Sequence, residues 1–179
     1  MEIVRNYPLI EQILPSWKDQ IGENYNGYRG HIYRMFNCCL ALKNCSEEEV
    51  TKLAIAAAFH DIGLWSDHTV DYLSPSIAQA QKWLAENDLS SWAEEIGLMI
   101  AMHHKVTPYR DPKYPLVELF RKADLVDFSL GFFKFGLSSQ YISRLKSEIP
   151  DAGFHKFLFD GAKDWFFKHP LMPPPFMKW

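Results

Sequence analysis

Residues 50–60, VTKLAIAAAFH, are mostly apolar and rich in alanine. Alanine is the best helix former, and its short side chain lets a helix lie close to neighbours on several sides. A chain built around such a segment is constrained to pack further helices about it. Ser46 followed three positions later by Glu49 is the capping-box pattern that starts a helix, and Glu47 and Glu48 add negative charge where the helix dipole favours it. Gly63 is suited to stopping this helix, which leaves His60 and Asp61 at its C-terminal end.

The rest of the chain reads as helices too. Leu9, Ile10, Ile13, Leu14, Trp17 and Ile21 recur as one helical face and predict a helix over 9–21. The stretch ENYNGYRG carries two glycines and two asparagines, so a second helix is expected to begin near Tyr28, with His31 in its first turn. Ser74 as cap and Pro75 as first helical residue open a fourth helix. Ser91 with Glu94 opens a fifth, in which Ile96, Met99, Ile100 and His103 share a face. Leu116, Phe120, Ala123 and Asp127 mark a sixth that bears Asp124, and a further helical stretch over 138–165 is interrupted at 150–153. The prolines of the tail HPLMPPPFMKW favour an extended path, either laid over the body by Phe176 and Trp179 or disordered. With no strand alternation and no internal repeat, the expectation is all-α: one compact helical bundle over 1–179, its motif-bearing core at about 28–130, with C-terminal helices and a proline-rich tail over 138–179.

Composition narrows the class. A chain of 179 residues that is 47% apolar and 15% aromatic has enough material for one sizeable core. Its net charge of −3 and pI near 6.1 provide no general basic surface, which argues against extended nucleic-acid binding through the phosphates. No run of eighteen apolar residues predicts a membrane span, and the charged N-terminus does not read as an export signal. Cys38, Cys39 and Cys45 are odd in number and lack metal-ligand spacing, so they read as reduced thiols of a cytoplasmic protein.

Chemistry is written where polar residues sit beside apolar helical faces. His31, His60, Asp61 and Asp124 all do so, and a buried carboxylate costs several kcal/mol unless it is paired or coordinated. Imidazole nitrogen with carboxylate oxygen is a donor mix suited to divalent first-row metals, and two histidines with two aspartates leave positions open for water and substrate. A water on such a cation is acidified toward neutral pH and becomes a usable nucleophile.

The pattern of an isolated histidine (His31 in RGHIYR), then His-Asp (His60-Asp61 in LAIAAAFHDIG), then a distant aspartate (Asp124 in RKADLVD) resembles the signature of the HD superfamily of metal-dependent phosphohydrolases. The resemblance runs from about His31 to Asp127, and the His-Asp-Ile-Gly segment with its alanine-rich lead is its most specific part. It implies a fold of packed helices, His31, His60, Asp61 and Asp124 as ligands of a divalent ion (Mn, Fe, Co, Ni, Zn or Mg), and hydrolysis of a phosphate ester or anhydride of a small molecule, nucleotides included. His103-His104 in AMHHK resembles the His-His found at the same place in family members that bind two metals or use an extra imidazole near the substrate. In two-metal members a further histidine opens the next helix, where this chain has Ser74, with His68 the nearest substitute, so one metal site is favoured over two.

The remaining polar residues take subordinate roles in this reading. His103 or His104 is the candidate to protonate a leaving oxygen or hold the scissile phosphate, with His103 equally readable as a core residue. Arg34, one turn beyond His31, and Lys105 are candidate anion holders, though for either base a solvated surface role is the stronger reading, and Asp127 is a candidate either to orient a ligand histidine or to form a salt bridge. Asp67 and Asp71 lie in the loop after His-Asp, where a role as solubilising loop residues is the stronger reading. Tyr25, Tyr28, Trp65, Tyr72 and Tyr109 fall in connections, suited either to loop packing or to stacking on a substrate. The phenylalanines of GFFKFG, together with Phe128, suit either core or an interface with a second copy of the chain. Two alternatives to a phosphohydrolase stay open: an HD-fold di-iron oxygenase or small-nitrile hydratase, and a non-catalytic, metal-stabilised ligand-binding module.

Overall fold

The helical periodicities become helices throughout the computed structural model, which describes residues 2–179; apart from a single bridge between Lys105 and Lys178, no extended pairing occurs among them. The chain is all-α. Its helices are α1 (Pro8–Ile13), α2 (Lys18–Ile21), α3 (Tyr25–Leu42), α4 (Glu47–Phe59), α5 (Gly63–Ser66), α6 (Leu73–Glu86), α7 (Ala93–Met102), α8 (Pro115–Phe128), α9 (Ser139–Glu148) and α10 (Phe154–Lys168). The alanine-rich α4 is the hub: every residue from Leu53 to Phe59 is buried, and α1, α3, α6, α7 and α8 all pack against it. The Ser46–Glu49 capping box is complete in both directions. Each large side chain that α4 buries contributes about 1.5–3 kcal/mol.

Several boundaries differ from the sequence expectation. The helix expected over 9–21 is broken by a 3-10 stretch, Leu14–Trp17, because Pro15 has no N–H to continue the α-helical ladder. Its apolar stripe survives, with Ile10, Ile13, Leu14 and Ile21 buried. Helix α3 begins at Tyr25 rather than near Tyr28, so His31 lies in its second turn. Gly30 does not break it but admits a neighbour: a Cβ there would sit 2.9 Å from the Pro150 carbonyl oxygen. Gly63 does not stop α4, which ends at Phe59; it opens α5, where a Cβ would overlap the Tyr72 carbonyl oxygen. Tyr72 rather than Ser74 precedes α6, and the Ser91–Glu94 box is not made, because a 3-10 turn, Ser90–Trp92, leads into α7.

The C-terminal third follows the expected plan. Ser138 caps α9 by accepting from the Tyr141 N–H at 3.1 Å, and Gly153, at φ 88°, turns the chain into α10. The tail lies along the body: Phe176 packs on Tyr72 and His104, and the Val106 N–H donates to the Lys178 carbonyl at 2.8 Å. Trp179 is exposed, and its carbonyl oxygen is held by the Lys105 ammonium. The core alternative for GFFKFG is overturned, since Phe132 is 80% exposed and Phe133 and Phe135 are exposed as well. No helix among the described residues is long and apolar enough to cross a membrane.

Two glycine substitutions should move stability in opposite directions. Gly63→Ala forces a methyl against the Tyr72 carbonyl and should destabilise by about 1–3 kcal/mol, as overpacking does. Gly161→Ala lies mid-helix in open space and should stabilise by roughly 0.5–1 kcal/mol. Urea denaturation of both variants checks the sign of each.

Candidate metal centre

Four helices bring their polar residues to one point. His31 comes from α3, His60 and Asp61 follow the end of α4, His103 and His104 follow the end of α7, and Asp124 and Asp127 come from α8. All are buried except His104, whose side chain is largely enclosed but 17% exposed. The ends of α4 and α7 orient their histidines in the same way. Carbonyls in a last helical turn lack intrahelical donors, and here the Ala57 carbonyl accepts from His60 Nδ1 at 2.8 Å and the Ile100 carbonyl from His103 Nδ1 at 2.7 Å. A carbonyl only accepts, so each Nδ1 carries the proton and each Nε2 turns a lone pair toward the cluster. The Ala57 carbonyl is left to His60 because the Asp61 N–H donates to Tyr28 Oη instead, at 3.2 Å.

The donors are tightly grouped. His31 Nε2 lies 3.0 Å from His60 Nε2 and 3.3 Å from Asp124 Oδ1, and His60 Nε2 lies 3.1 Å from Asp61 Oδ2. His103 Nε2 is 3.4 Å from Asp61 Oδ1, and His104 Nδ1 is 3.8 Å from Asp124 Oδ2. Two sets of donor atoms are each within 4.8 Å of one another, His31–His60–Asp61 and Asp61–His103–His104, with Asp61 in both. Asp61 Oδ1 and His103 Nε2 are buried without a hydrogen-bond partner. Orphaned polar atoms in a native interior cost about 1–3 kcal/mol each, and a divalent cation is the group that would satisfy an imidazole lone pair and a carboxylate oxygen together. The residues present therefore fit a metal ion.

Behind the donors stands a second carboxylate. Asp127 accepts from His31 Nδ1 at 2.8 Å and from Arg34 Nε and a terminal Arg34 nitrogen at 2.6 and 2.9 Å. Burial alone would raise its pKa, but His31 and Arg34 outweigh burial and hold it at about 2. Burial also pulls the His31 pKa down, yet the hydrogen bonds and charges of Asp124 and Asp127 carry it up to about 9. In that state a proton on His31 does the work of a cation among the carboxylates. Asp61 sits well below the ordinary carboxylate range: burial raises its pKa, and the neighbouring His60 and His103 more than reverse this. His104 is pushed down to about 3, by burial first and by His103 second, and so is a neutral imidazole.

The cluster forms the floor of a cavity of about 980 Å³. His31, Asp61, His104 and Asp124 face it from below, and its walls are carbon, from Trp65, Phe128, Phe154, Phe157, Trp165 and Phe176 among others.

The sequence-expected ligands His31, His60, Asp61 and Asp124 are thus brought together, and so are His103 and His104. Arg34 is placed elsewhere than expected for an anion holder: it is 1% exposed and its donors go to Asp127 and to the Ile149 and Pro150 carbonyls. Lys105 also lies off the cavity, where its ammonium bonds Thr107 and the Trp179 carbonyl oxygen and so ties down the tail. Asp127 makes both expected contacts, a hydrogen bond to the His31 ring and a salt bridge, the latter with Arg34. Asp67 and Asp71 are exposed and do not line the cavity, whereas His68 does. Among the loop aromatics Trp65 and Tyr72 line the cavity, while Tyr28 is buried inside α3, and Tyr25 and Tyr109 pack away from it. The cavity walls from α10 and the tail fall outside the core expected at 28–130. Their signal was the spacing of Phe154, Phe157, Leu158 and Trp165, one stripe of a helix.

No family model, no curated protein and no solved structure matches this chain.

Removing Asp127 should separate a structural ion pair from a substrate-binding one. Asp127→Ala leaves the buried Arg34 without its nearest carboxylate, with only Asp151 at 3.6 Å and two carbonyls remaining, and should cost about 3 kcal/mol in chemical denaturation. The His31 shift makes a further demand on chelator-treated protein. A folded-state pKa of about 9 against an unfolded value near 6.5 means stabilisation that is full below pH about 6.5 and lost as pH rises through about 9. Melting temperatures across that window should fall, and should fall less in Asp124→Asn, which weakens the partner that raises the His31 pKa.

Proposed function

We propose that this chain is a metal-dependent phosphohydrolase of the HD-domain kind, acting on a phosphate ester or anhydride of a small molecule. The observation that carries the reading is the pair of unpartnered buried atoms, Asp61 Oδ1 and His103 Nε2, set among convergent imidazoles and carboxylates at the floor of a cavity. His31, His60, Asp61 and Asp124 would hold the ion, with His103 completing the set toward α7. A divalent cation bound there would polarise a phosphoryl oxygen and acidify a water. The chain's own residues supply the rest. Asp127 locks the His31 ring through Nδ1, and helix-end carbonyls lock His60 and His103, so the donors are fixed before substrate arrives. Tyr72 Oη lies 2.6 Å from His104 Nε2. With the hydroxyl donating there, the neutral His104 keeps its proton on Nδ1, on the side of Asp124 and the cavity floor. That nitrogen is the hydrogen-bond donor for the phosphoryl group and its leaving oxygen.

Protein purified without chelators should carry stoichiometric divalent metal and turn over members of a panel of phosphomonoesters, cyclic and linear nucleotides and pyrophosphates with manganese, cobalt or magnesium. No turnover for any compound would defeat the reading. Asp124→Ala and His103→Ala should each lose tight metal binding. His104→Ala should keep the metal while turnover drops by roughly 10²–10⁴-fold, the contribution of one positioned donor.

The sharing of Asp61 between two donor sets favours a second reading, a two-iron oxygenase. Two iron atoms per chain together with substrate-dependent oxygen consumption would select it over hydrolysis.

A further inference from the structure

The cavity above the cluster is unusual for a site that handles phosphate. A volume of about 980 Å³ is at the upper end for small-molecule sites. Its polar groups are concentrated at the floor, in His31, Asp61, Asp124 and His104, and a few polar side chains such as Asn24, His68 and Thr69 stand elsewhere on its lining. The walls between are aromatic and aliphatic. Lys156, also on the lining, is 80% exposed at its side chain and paired with Asp160 at 2.6 Å, so no buried cation waits there for a second phosphate. A site that recognises a base or sugar does so by hydrogen bonds to its polar edges, and a ligand whose polar edges find no partners is rejected strongly. Away from the floor these walls offer the polar edges of a nucleoside few partners.

We propose, resting on the phosphohydrolase reading of the floor, that the substrate is the phosphate monoester of a long-chain apolar alcohol, its phosphate on the cluster and its chain between α10, α5 and the tail. The reaction balances simply: a water oxygen bonds to phosphorus and gives up a proton, the bond from phosphorus to the alkyl oxygen breaks, and that oxygen takes up the proton the water has lost. The products are the free alcohol and inorganic phosphate. Trp65 of α5, Phe157 and Trp165 of α10 and Phe176 of the tail supply the surface that removes the chain from water. The tail has a specific part, because Phe176 stands over His104 at a ring separation of 4.9 Å and so joins the apolar wall to the polar floor.

Calorimetric titration of protein purified without chelators, its metal in place, with butyl, octyl and dodecyl phosphate, each below its micellar concentration, and with adenosine monophosphate tests the ligand class through the heat of binding, separately from turnover. Affinity should climb steeply along the series, with roughly fourfold per buried methylene as the ceiling, and the nucleotide should bind no better than butyl phosphate. Phosphate release with manganese should follow the same order in kcat/KM. Gly161 lines the cavity, and a Cβ there meets open space, so Gly161→Phe narrows the chain-binding volume without touching the cluster. It should weaken dodecyl phosphate by more than tenfold and leave butyl phosphate within about twofold; Ala162→Leu, also on the lining, should do the same to a smaller degree. Affinity independent of chain length, or a nucleotide bound more tightly than dodecyl phosphate, overturns the proposal while a phosphohydrolase of another substrate still stands. Chain-length-dependent binding with no hydrolysis of any ester upholds the apolar ligand and overturns the phosphohydrolase reading instead.

Discussion

The buried pairing of Asp127 with Arg34 and His31 is the interaction on which the site rests. One carboxylate receives two guanidinium nitrogens and one imidazole nitrogen, so α3 and α8 are pinned to each other at the depth of the cluster. Arg34 then extends the link by donating to the Pro150 carbonyl, which draws the turn between α9 and α10 against Gly30. A charged group this deep is tolerable only because every charge has a partner. The consequence reaches the cavity, since the position of that turn decides where α10 begins and hence where Phe154 and Phe157 stand.

The donors themselves are arranged by helix ends. Helices α4 and α7 both terminate beside the cluster, and in each the last-turn carbonyl takes the histidine Nδ1 proton and aims Nε2 inward. This costs nothing extra, because those carbonyls lack helical partners in any case. What it leaves is a concentration of lone pairs around Asp61. The charges follow: the carboxylates draw the pKa of His31 and His103 up, and the imidazoles in turn hold Asp61 and Asp124 low, with burial opposing both. His104 departs from this pattern because burial dominates and His103 crowds it, and it is driven to the neutral form.

An apolar vault over a charged floor divides labour in space. In the proposed reading, specificity for the reacting group would come from the floor, where the donors are fixed, and affinity for the remainder from area removed from water. The vault draws on separate parts of the chain, α5 with Trp65, α8 with Phe128, α10 and the tail residue Phe176, so it is complete only once the C-terminal third has folded onto the bundle.

Much of this was determined by the sequence alone. Helical periodicity and the alanine-rich segment set the all-α class, the Ser46–Glu49 box set the start of α4, and the His-Asp pair following it marked where chemistry would gather. These are local signals, carried by residues a few positions apart. Arg34 shows the limit: one turn beyond His31, its spacing suited an anion holder, and only its partners across the fold, Asp127 and the Ile149 and Pro150 carbonyls, showed it to be a structural tie. Gly30 and Gly63 read locally as helix breakers, yet each is small because a distant carbonyl needs the space. The unpartnered state of Asp61 Oδ1 and His103 Nε2, and the joining of α10 and Phe176 to the cavity wall, were decided by tertiary structure, because satisfaction and enclosure are properties of groups far apart in the chain.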